Sequence, residues 1–250
     1  VIYTFLVKIS SPEIQVIEII AYTMTIGTIL GVNGINGGHE LGHKTNEPVK
    51  LVCAHILLAT SLQNHFMTYH NSGHHRDVAT PNDLTTAKKG QSFYHFAIQS
   101  QIGGYFKTWK LEREKLLRQG KSTFLNPMII LTLIPWSLQA FIFIYFGWIT
   151  GMLYLLASIF GISMLESQNY FSHYGLTRNK KEDGSYERVK AHHSWNSDHL
   201  LGRILLFELT RHSDHHFMGA KPYQVLESKA DSPLLPCLLY TSDAADDSLR

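Results

Sequence analysis

Charge is missing from one long stretch of this chain. Between Ser122 and Leu165 there is no Asp, Glu, Lys or Arg, and about 20 apolar residues suffice for a helix to cross a bilayer. The run therefore predicts two membrane spans, Met128 to Phe146 and Trp148 to Leu165, joined by a tight turn at Gly147–Gly151. Tyr145, Trp148 and Tyr154 sit near that turn, where interfacial aromatics belong. Pro135 falls inside the first span, is tolerable in a membrane helix, and is expected to kink it. A buried hairpin in a soluble protein is the competing reading, and so long a chargeless run is unusual in a soluble core. Upstream, Ile14 to Ile35 is a third candidate span, with Glu18 expected to face other helices or lie near a membrane surface. Val49 to Leu62 is apolar but too short to cross, and reads as a re-entrant or interfacial helix. Lys107 to Lys121 predicts an exposed, charged helix or loop.

Composition adjusts this picture only slightly. Hydrophobic residues make up 44% of the 250 and charged residues 17%. The mean hydropathy of -0.06 is low for a membrane protein, because apolar residues are pooled in a few segments and the rest is polar. A net charge of +2 is too mild to argue for nucleic acid. Cys53 and Cys237 form no CxxC pattern and no disulfide framework. The chain starts at Val1, and a missing natural N-terminus is expected. Residues 1–236 read as one domain, and 237–250 as a disordered or non-native tail.

Basic residues bracket the chargeless hairpin. Lys107, Lys110, Arg113, Lys115, Arg118 and Lys121 precede it; Arg178, Lys180, Lys181, Arg188 and Lys190 follow. By the positive-inside rule both ends lie in the cytoplasm and the tip faces outward.

The 15 histidines are the compositional anomaly, and they cluster. The clusters are His39-Glu40-Leu41-Gly42-His43, His70-Asn71-Ser72-Gly73-His74-His75 and His212-Ser213-Asp214-His215-His216. Residues three and four apart on a helix share a face. His39 with His43, His70 with His74, and His212 with His215 and His216 are thus each expected to present imidazoles to a common point. The short Val49–Leu62 helix and the returning hairpin leave all three clusters on one side of the membrane. A single metal takes four to six ligands, so these histidines predict two ions. Imidazole suits iron, zinc, copper and nickel, so the ligand type leaves the metal open. Glu40, Asp77, Asp198 and Asp214 lie beside the clusters and are candidates to orient ligand N–H groups. One HxxxH alone often means nothing; three clusters with two HH doublets are hard to assign to accident.

The chain resembles the membrane alkane 1-monooxygenases (alkane omega-hydroxylases) of the fatty-acid desaturase-like superfamily. The carrying motifs are Asn36–Lys44 with its Gly-Gly-His-Glu-Leu-Gly-His core, His74-His75-Arg76-Asp77-Val78-Ala79-Thr80-Pro81, and Asn169–Leu176 with its His-Tyr-Gly core. His193–His199, Arg211–His216 and Lys221-Pro222-Tyr223-Gln224 extend the match, which runs from about Ile26 to Pro236. The resemblance implies an all-α, polytopic integral membrane helical bundle with a cytoplasmic histidine-rich di-iron site. This chain would lack the N-terminal helices of a six-span family. The implied ligands of two non-haem iron ions are His39, His43, His70, His74, His75, His173, His212, His215 and His216. The other six histidines, His55, His65, His95, His192, His193 and His199, are left out as ligands. His199 joins Glu40, Asp77, Asp198 and Asp214 as candidates to support the ligands from behind. No catalytic residue beyond the ligands is implied.

The implied reaction is hydroxylation of the terminal methyl of n-alkanes by O2, in the bacterial inner membrane with the site facing the cytoplasm. Its electrons would come from rubredoxin and an NADH-dependent rubredoxin reductase, with membrane lipid as surroundings and no nucleic acid. Phe141, Phe143, Phe146 and Leu165 are candidates for an apolar substrate channel, against plain packing toward lipid. Within the superfamily, a fatty acyl desaturase and a xylene-type methyl hydroxylase are the rivals. Two readings come from other classes. His39-Glu40-xx-His43 fits a zinc protease with Glu40 as general base, and a non-catalytic metal-binding membrane protein would carry the same histidines.

Overall fold

The computed structural model describes residues 1–235; the expected tail at 237–250 lies outside them. Among the described residues there are helices and two isolated bridges, Lys180 with Tyr186 and Asn196 with Leu234, but no strand. The all-α expectation therefore holds. Within the expected domain the described residues form two compact units, Val1–Met67 with Thr108–Leu165, and Thr68–Lys107 with the residues from Glu166 onward.

Among the described residues three helices are long and apolar enough to cross a membrane: Val16–Gly42, one ending at Phe146, and Trp148–His173. Their outward faces carry Ile20, Met24, Ile130, Leu133, Ile144 and Ile159, all exposed. Such faces are solvated by lipid rather than water, the pattern of a membrane-embedded bundle.

In the first unit, the opening span starts with a reciprocal cap in which the Gln15 backbone N–H donates to Glu18 Oε2 at 2.9 Å. Glu18 is thus an exposed first-turn residue at the span's end, not one facing other helices. The helix Val16–Ile29 passes through a π-helical stretch, Leu30–Asn36, into Gly37–Gly42. It runs seven residues past the expected Ile35, because the glycine-rich Gly31–Gly42 stretch stays helical, and so carries His39 on the span itself. The short helix Pro48–Thr60 packs on it through Ile35, Ala54 and Leu58. Ser61 then donates to the Leu30 carbonyl at 3.0 Å, where the wider π spacing begins.

The hairpin forms as its apolar run demands. Asn126 Oδ1 accepts from the Met128 N–H at 2.9 Å to start Met128–Phe146, which continues unbroken through Pro135. Only Gly147, at φ +86°, makes the turn. Gly151 lies inside the next helix beneath the Phe143 ring, so the predicted turn was too long. Tyr145 and Trp148 are exposed at the tip as expected, but Tyr154 is buried. Its hydroxyl donates to the Thr60 carbonyl at 2.6 Å, a polar handle used inside the bundle rather than at an interface. The second hairpin helix also overruns Leu165 and ends at His173.

The proposed channel residues are packing residues. Phe141 is exposed and stacks on Tyr145 at 5.4 Å between ring centres. Phe146 packs on the core around Phe5, Leu30 and Ile142, and Leu165 on that around Ile35 and Leu58. Gly104–Arg118 is the charged helix expected at Lys107–Lys121.

Candidate metal centre

Each histidine cluster sits on a short helix or helix end, and the local helix type decides which imidazoles meet. In the first unit, His39 and His43 are four apart at the end of the span, and their Nε2 atoms stand 3.0 Å apart. In the second unit, His70–His74 is a π-helical turn. A π turn holds i to i+5 rather than i to i+4. His70 accordingly brings its Nε2 to that of His75, 2.9 Å away, while its ring also lies beside that of His74, the partner α-helical spacing predicted, at 5.2 Å between centres. His215 joins that pair, its ring stacked on His70 at 5.7 Å between centres.

His74 belongs elsewhere. Its donor atom and those of His173, His212 and His216 lie within 4.8 Å of one another, and all four residues are buried. The Nε2 atoms form a chain: His74 to His216 at 3.1 Å, His216 to His212 at 3.0 Å, His212 to His173 at 3.0 Å. The HH doublets are thereby split. Successive residues on a helix differ by about 100°, so His74 and His75, and likewise His215 and His216, send adjacent rings to different sets.

Hydrogen bonding cannot satisfy the four-imidazole set. The His74 Nδ1 faces the Asp83 carboxylate at 2.8 Å and the Thr85 hydroxyl oxygen at 2.6 Å; a carboxylate only accepts, so in the neutral ring Nδ1 carries the proton and Nε2 is bare. His173 Nδ1 donates to the His193 carbonyl at 3.2 Å, with the same consequence. His212 and His216 bring at most one Nε2 hydrogen each, against three contacts, so at least one contact is left unbridged. The His216 Nδ1 is also buried with no hydrogen-bond partner among the described residues. Burial first, then the neighbouring imidazoles of His75, His212, His74 and His173, hold His216 well below its ordinary pKa, so it is neutral. A cation that accepts four lone pairs removes the conflict. Nitrogens about 2.1 Å from one ion and about 90° apart stand about 3.0 Å from each other, as these do. The residues fit a metal ion.

A family model for fatty acid desaturases matches residues 17–237. The chain belongs to the fatty acid desaturase family. It is 41% identical over 234 residues to alkane 1-monooxygenase 1 of Alcanivorax borkumensis, a match covering 91% of this chain and 56% of that protein. With the alkane 1-monooxygenase of Ectopseudomonas oleovorans it shares 42% over 226 residues, covering 88% and 55%. The xylene/toluene monooxygenase hydroxylase component XylM of Pseudomonas putida is 25% identical over 234 residues, covering 93% and 61%. The chain spans about half the length of the alkane 1-monooxygenases it matches.

Around the histidines, the acids singled out from the sequence have basic side chains beside them. Glu40 pairs with Lys44 at 3.2 Å, and Asp77 with Arg76 at 2.8 Å and Lys107 at 3.2 Å. Asp198 meets Arg211 at 3.3 Å and the Ser228 hydroxyl at 2.7 Å. Asp214 pairs with Lys221 at 2.6 Å and Lys229 at 3.1 Å. His199 is exposed just before Leu200–Leu205. Each of these four acids thus has a cation beside it.

Sequence reasoning missed the group that does reach an imidazole, Asp83. It lies two residues beyond the Pro81 that closes the quoted motif, in a turn where no periodicity points to it. Burial alone would raise its pKa. The hydrogen bonds from His74 Nδ1 and the Thr86 hydroxyl outweigh that and hold the carboxyl well below its ordinary range. The His193 carbonyl under His173 was missed because a main-chain atom leaves no residue signature.

Glu187, His192 and His193 also bring donor atoms within 4.8 Å of one another. Here the tautomer argues against a ligand set. His193 Nδ1 accepts from the Lys190 N–H at 2.9 Å, which puts the proton of the neutral ring on Nε2, facing Glu187 at 3.6 Å. Burial, then the neighbouring His192, lowers His193 to about 4 and keeps it neutral.

Proposed function

We propose that this chain is the catalytic part of a membrane di-iron monooxygenase that converts n-alkanes to 1-alkanols. The observation that carries the reading is the buried set His74, His173, His212 and His216, whose Nε2 lone pairs converge. It is supported by 41% identity to an alkane 1-monooxygenase over nine-tenths of the chain. In this reading two irons are held by the nine histidines His39, His43, His70, His74, His75, His173, His212, His215 and His216. The buried set His74, His173, His212 and His216 would hold one of them.

The balance of the reaction is R–CH3 + O2 + 2 e⁻ + 2 H⁺ → R–CH2OH + H2O. Iron in its reduced state supplies the oxygen activation that attack on an unactivated methyl demands. The chain's own residues do the rest. Neutral imidazoles hold the metal without cancelling its charge. His74 and His173 are fixed in the Nδ1–H tautomer, so each offers only Nε2. Apolar spans admit a substrate that partitions into hydrocarbon, and burial keeps bulk water from the buried set. The two electrons come from rubredoxin through its NADH-dependent reductase. The basic flanks of the hairpin support a site on the cytoplasmic side of the bacterial inner membrane, within reach of that carrier.

The likeness to XylM makes an aryl methyl the second substrate to try. The zinc protease is disfavoured: Glu40 is tied to Lys44, and four buried histidines would have no work. The test is metal analysis of the purified protein with n-octane turnover under reduced rubredoxin. About two irons per chain and 1-octanol support the proposal; one zinc, or iron with only an aryl methyl oxidised, overturns it.

A further inference from the structure

Asp83 in the second unit accepts hydrogen bonds on both carboxylate oxygens, and the reaction does not itself require it. Its carboxylate is fully buried behind His74. One oxygen, Oδ1, accepts from the Tyr69 hydroxyl at 3.0 Å, the Thr85 backbone N–H at 3.1 Å and the Thr85 hydroxyl at 2.8 Å. The other, Oδ2, accepts from the Thr86 hydroxyl at 2.6 Å and from His74 Nδ1 at 2.8 Å. Two carboxylate oxygens offer about four lone-pair directions, so five donors saturate them.

Saturation has two consequences. The carboxylate cannot turn, since any rotation breaks bonds on both oxygens. Nor can it donate, and the Thr85 hydroxyl, whose one hydrogen goes to Oδ1, stands 2.6 Å from His74 Nδ1 as a second acceptor, so the hydrogen resides on Nδ1 and is shared between Asp83 and Thr85. The Thr86 hydroxyl is satisfied twice, because its oxygen also accepts from the Ala79 N–H at 2.9 Å. This ties the carboxylate to the backbone that follows the His74-His75 pair. His173, by contrast, rests on a neutral carbonyl at the longer distance of 3.2 Å.

We propose that Asp83 is a positioning residue that fixes the tautomer and ring plane of His74 and raises the basicity of its Nε2. It thereby sets the metal affinity of the His74, His173, His212 and His216 set. The inference rests on the reading of those histidines as metal ligands. Carboxylates behind ligating imidazoles are worth about 10–100-fold in metal affinity. Asn at position 83 keeps the shape but exchanges one acceptor for an NH2, which either turns a donor toward His74 Nδ1 or abandons Oδ1's three donors.

The experiment titrates Co(II) into the metal-free, full-length protein in detergent, reading its visible absorption, for wild type, Asp83→Asn, Asp83→Ser and Thr86→Val. Thr86→Val removes one donor from Asp83 but leaves the bond to His74. The proposal expects one of the wild-type Co(II) equivalents to weaken about 10–100-fold in the Asp83 variants, with its spectrum shifted and helix content unchanged. Thr86→Val should stay within about threefold of wild type, because the imidazole keeps its partner. Unchanged Co(II) affinity and spectrum in an Asp83 variant would overturn the proposal. So would loss of fold in both Asp83 variants, which would make Asp83 a structural anchor. If wild type binds no Co(II) while His74→Ala changes nothing, it is the reading of the histidines that fails instead.

Discussion

The helix pairing in the first unit depends on an approach too close for any side chain, and this yields a quantitative prediction. A Cβ built on Gly161 would lie 2.8 Å from the Gly27 carbonyl oxygen and 2.9 Å from the Gly31 nitrogen. Both neighbours are backbone, which cannot swing aside, so the spans Val16–Gly42 and Trp148–His173 must separate within the unit. Overpacking of this kind costs about 1–3 kcal/mol, while exchanging Gly for Ala inside a helix returns up to about 1 kcal/mol. The net expectation for Gly161→Ala is a loss of about 1–2 kcal/mol. Gly37→Ala supplies the control. Gly37 lies on the same span with φ -61° and ψ -43°, and its nearest contact would be Leu57 Cδ1 at an ordinary 3.6 Å. Only the propensity gain remains there, so Gly37→Ala should be neutral or stabilising by up to about 1 kcal/mol. The assay is reversible unfolding in mixed micelles by titration with a denaturing detergent, followed by far-UV circular dichroism. The two variants should move in opposite directions, about 2 kcal/mol apart. Gly161→Ala as stable as Gly37→Ala would refute the close-packing argument.

Three further outcomes are expected. His216→Ala should lose about half of the bound metal by elemental analysis, because His216 touches both His74 and His212 in the Nε2 chain; full retention would remove it from the ligand set. Tyr154→Phe, which deletes the 2.6 Å bond to the Thr60 carbonyl, should lower stability by about 0.5–1.5 kcal/mol in the same unfolding assay and leave metal content alone. Asp198→Asn and His192→Ala should each retain wild-type metal content, since Asp198 serves Arg211 and Ser228 and His192 is exposed beside a tautomer unsuited to ligation; metal loss in either would reopen those positions.

What the sequence made legible follows from what is periodic or compositional. The spans could be read because lipid forbids charge over a long run, and that rule needs no partner to be known. Their ends were read less well. Glycines at Gly37, Gly38 and Gly42 suggest a break in water, yet the helix continues through them, and Gly38 and Gly42 permit close packing against Leu58 and Met67. Tyr154 was placed at an interface because tyrosine usually is. Its ring is buried in the cluster around Phe5, Leu30 and Ile142, and its hydroxyl is satisfied by the Thr60 carbonyl, which nothing in the local sequence announces.

The histidines show where a local rule gives the right residues and the wrong groups. Spacing of three and four assumes an α-helix, and the π turn at His70–His74 defeats it by moving the Nε2 partner of His70 to His75. The doublets, however, contain the information that spacing obscures. Adjacent residues about 100° apart on a helix cannot easily turn both ring nitrogens to one point. A repeated HH is therefore better read as two sets of ligands drawn from one helix than as a denser single set. His74 and His75 behave that way, and so do His215 and His216: His74 and His216 meet in the four-imidazole set, whereas His75 faces His70. On that argument the split was available from His74-His75 and His215-His216 alone. Asp83 was not, because its position is set by a turn that only the folded chain reveals.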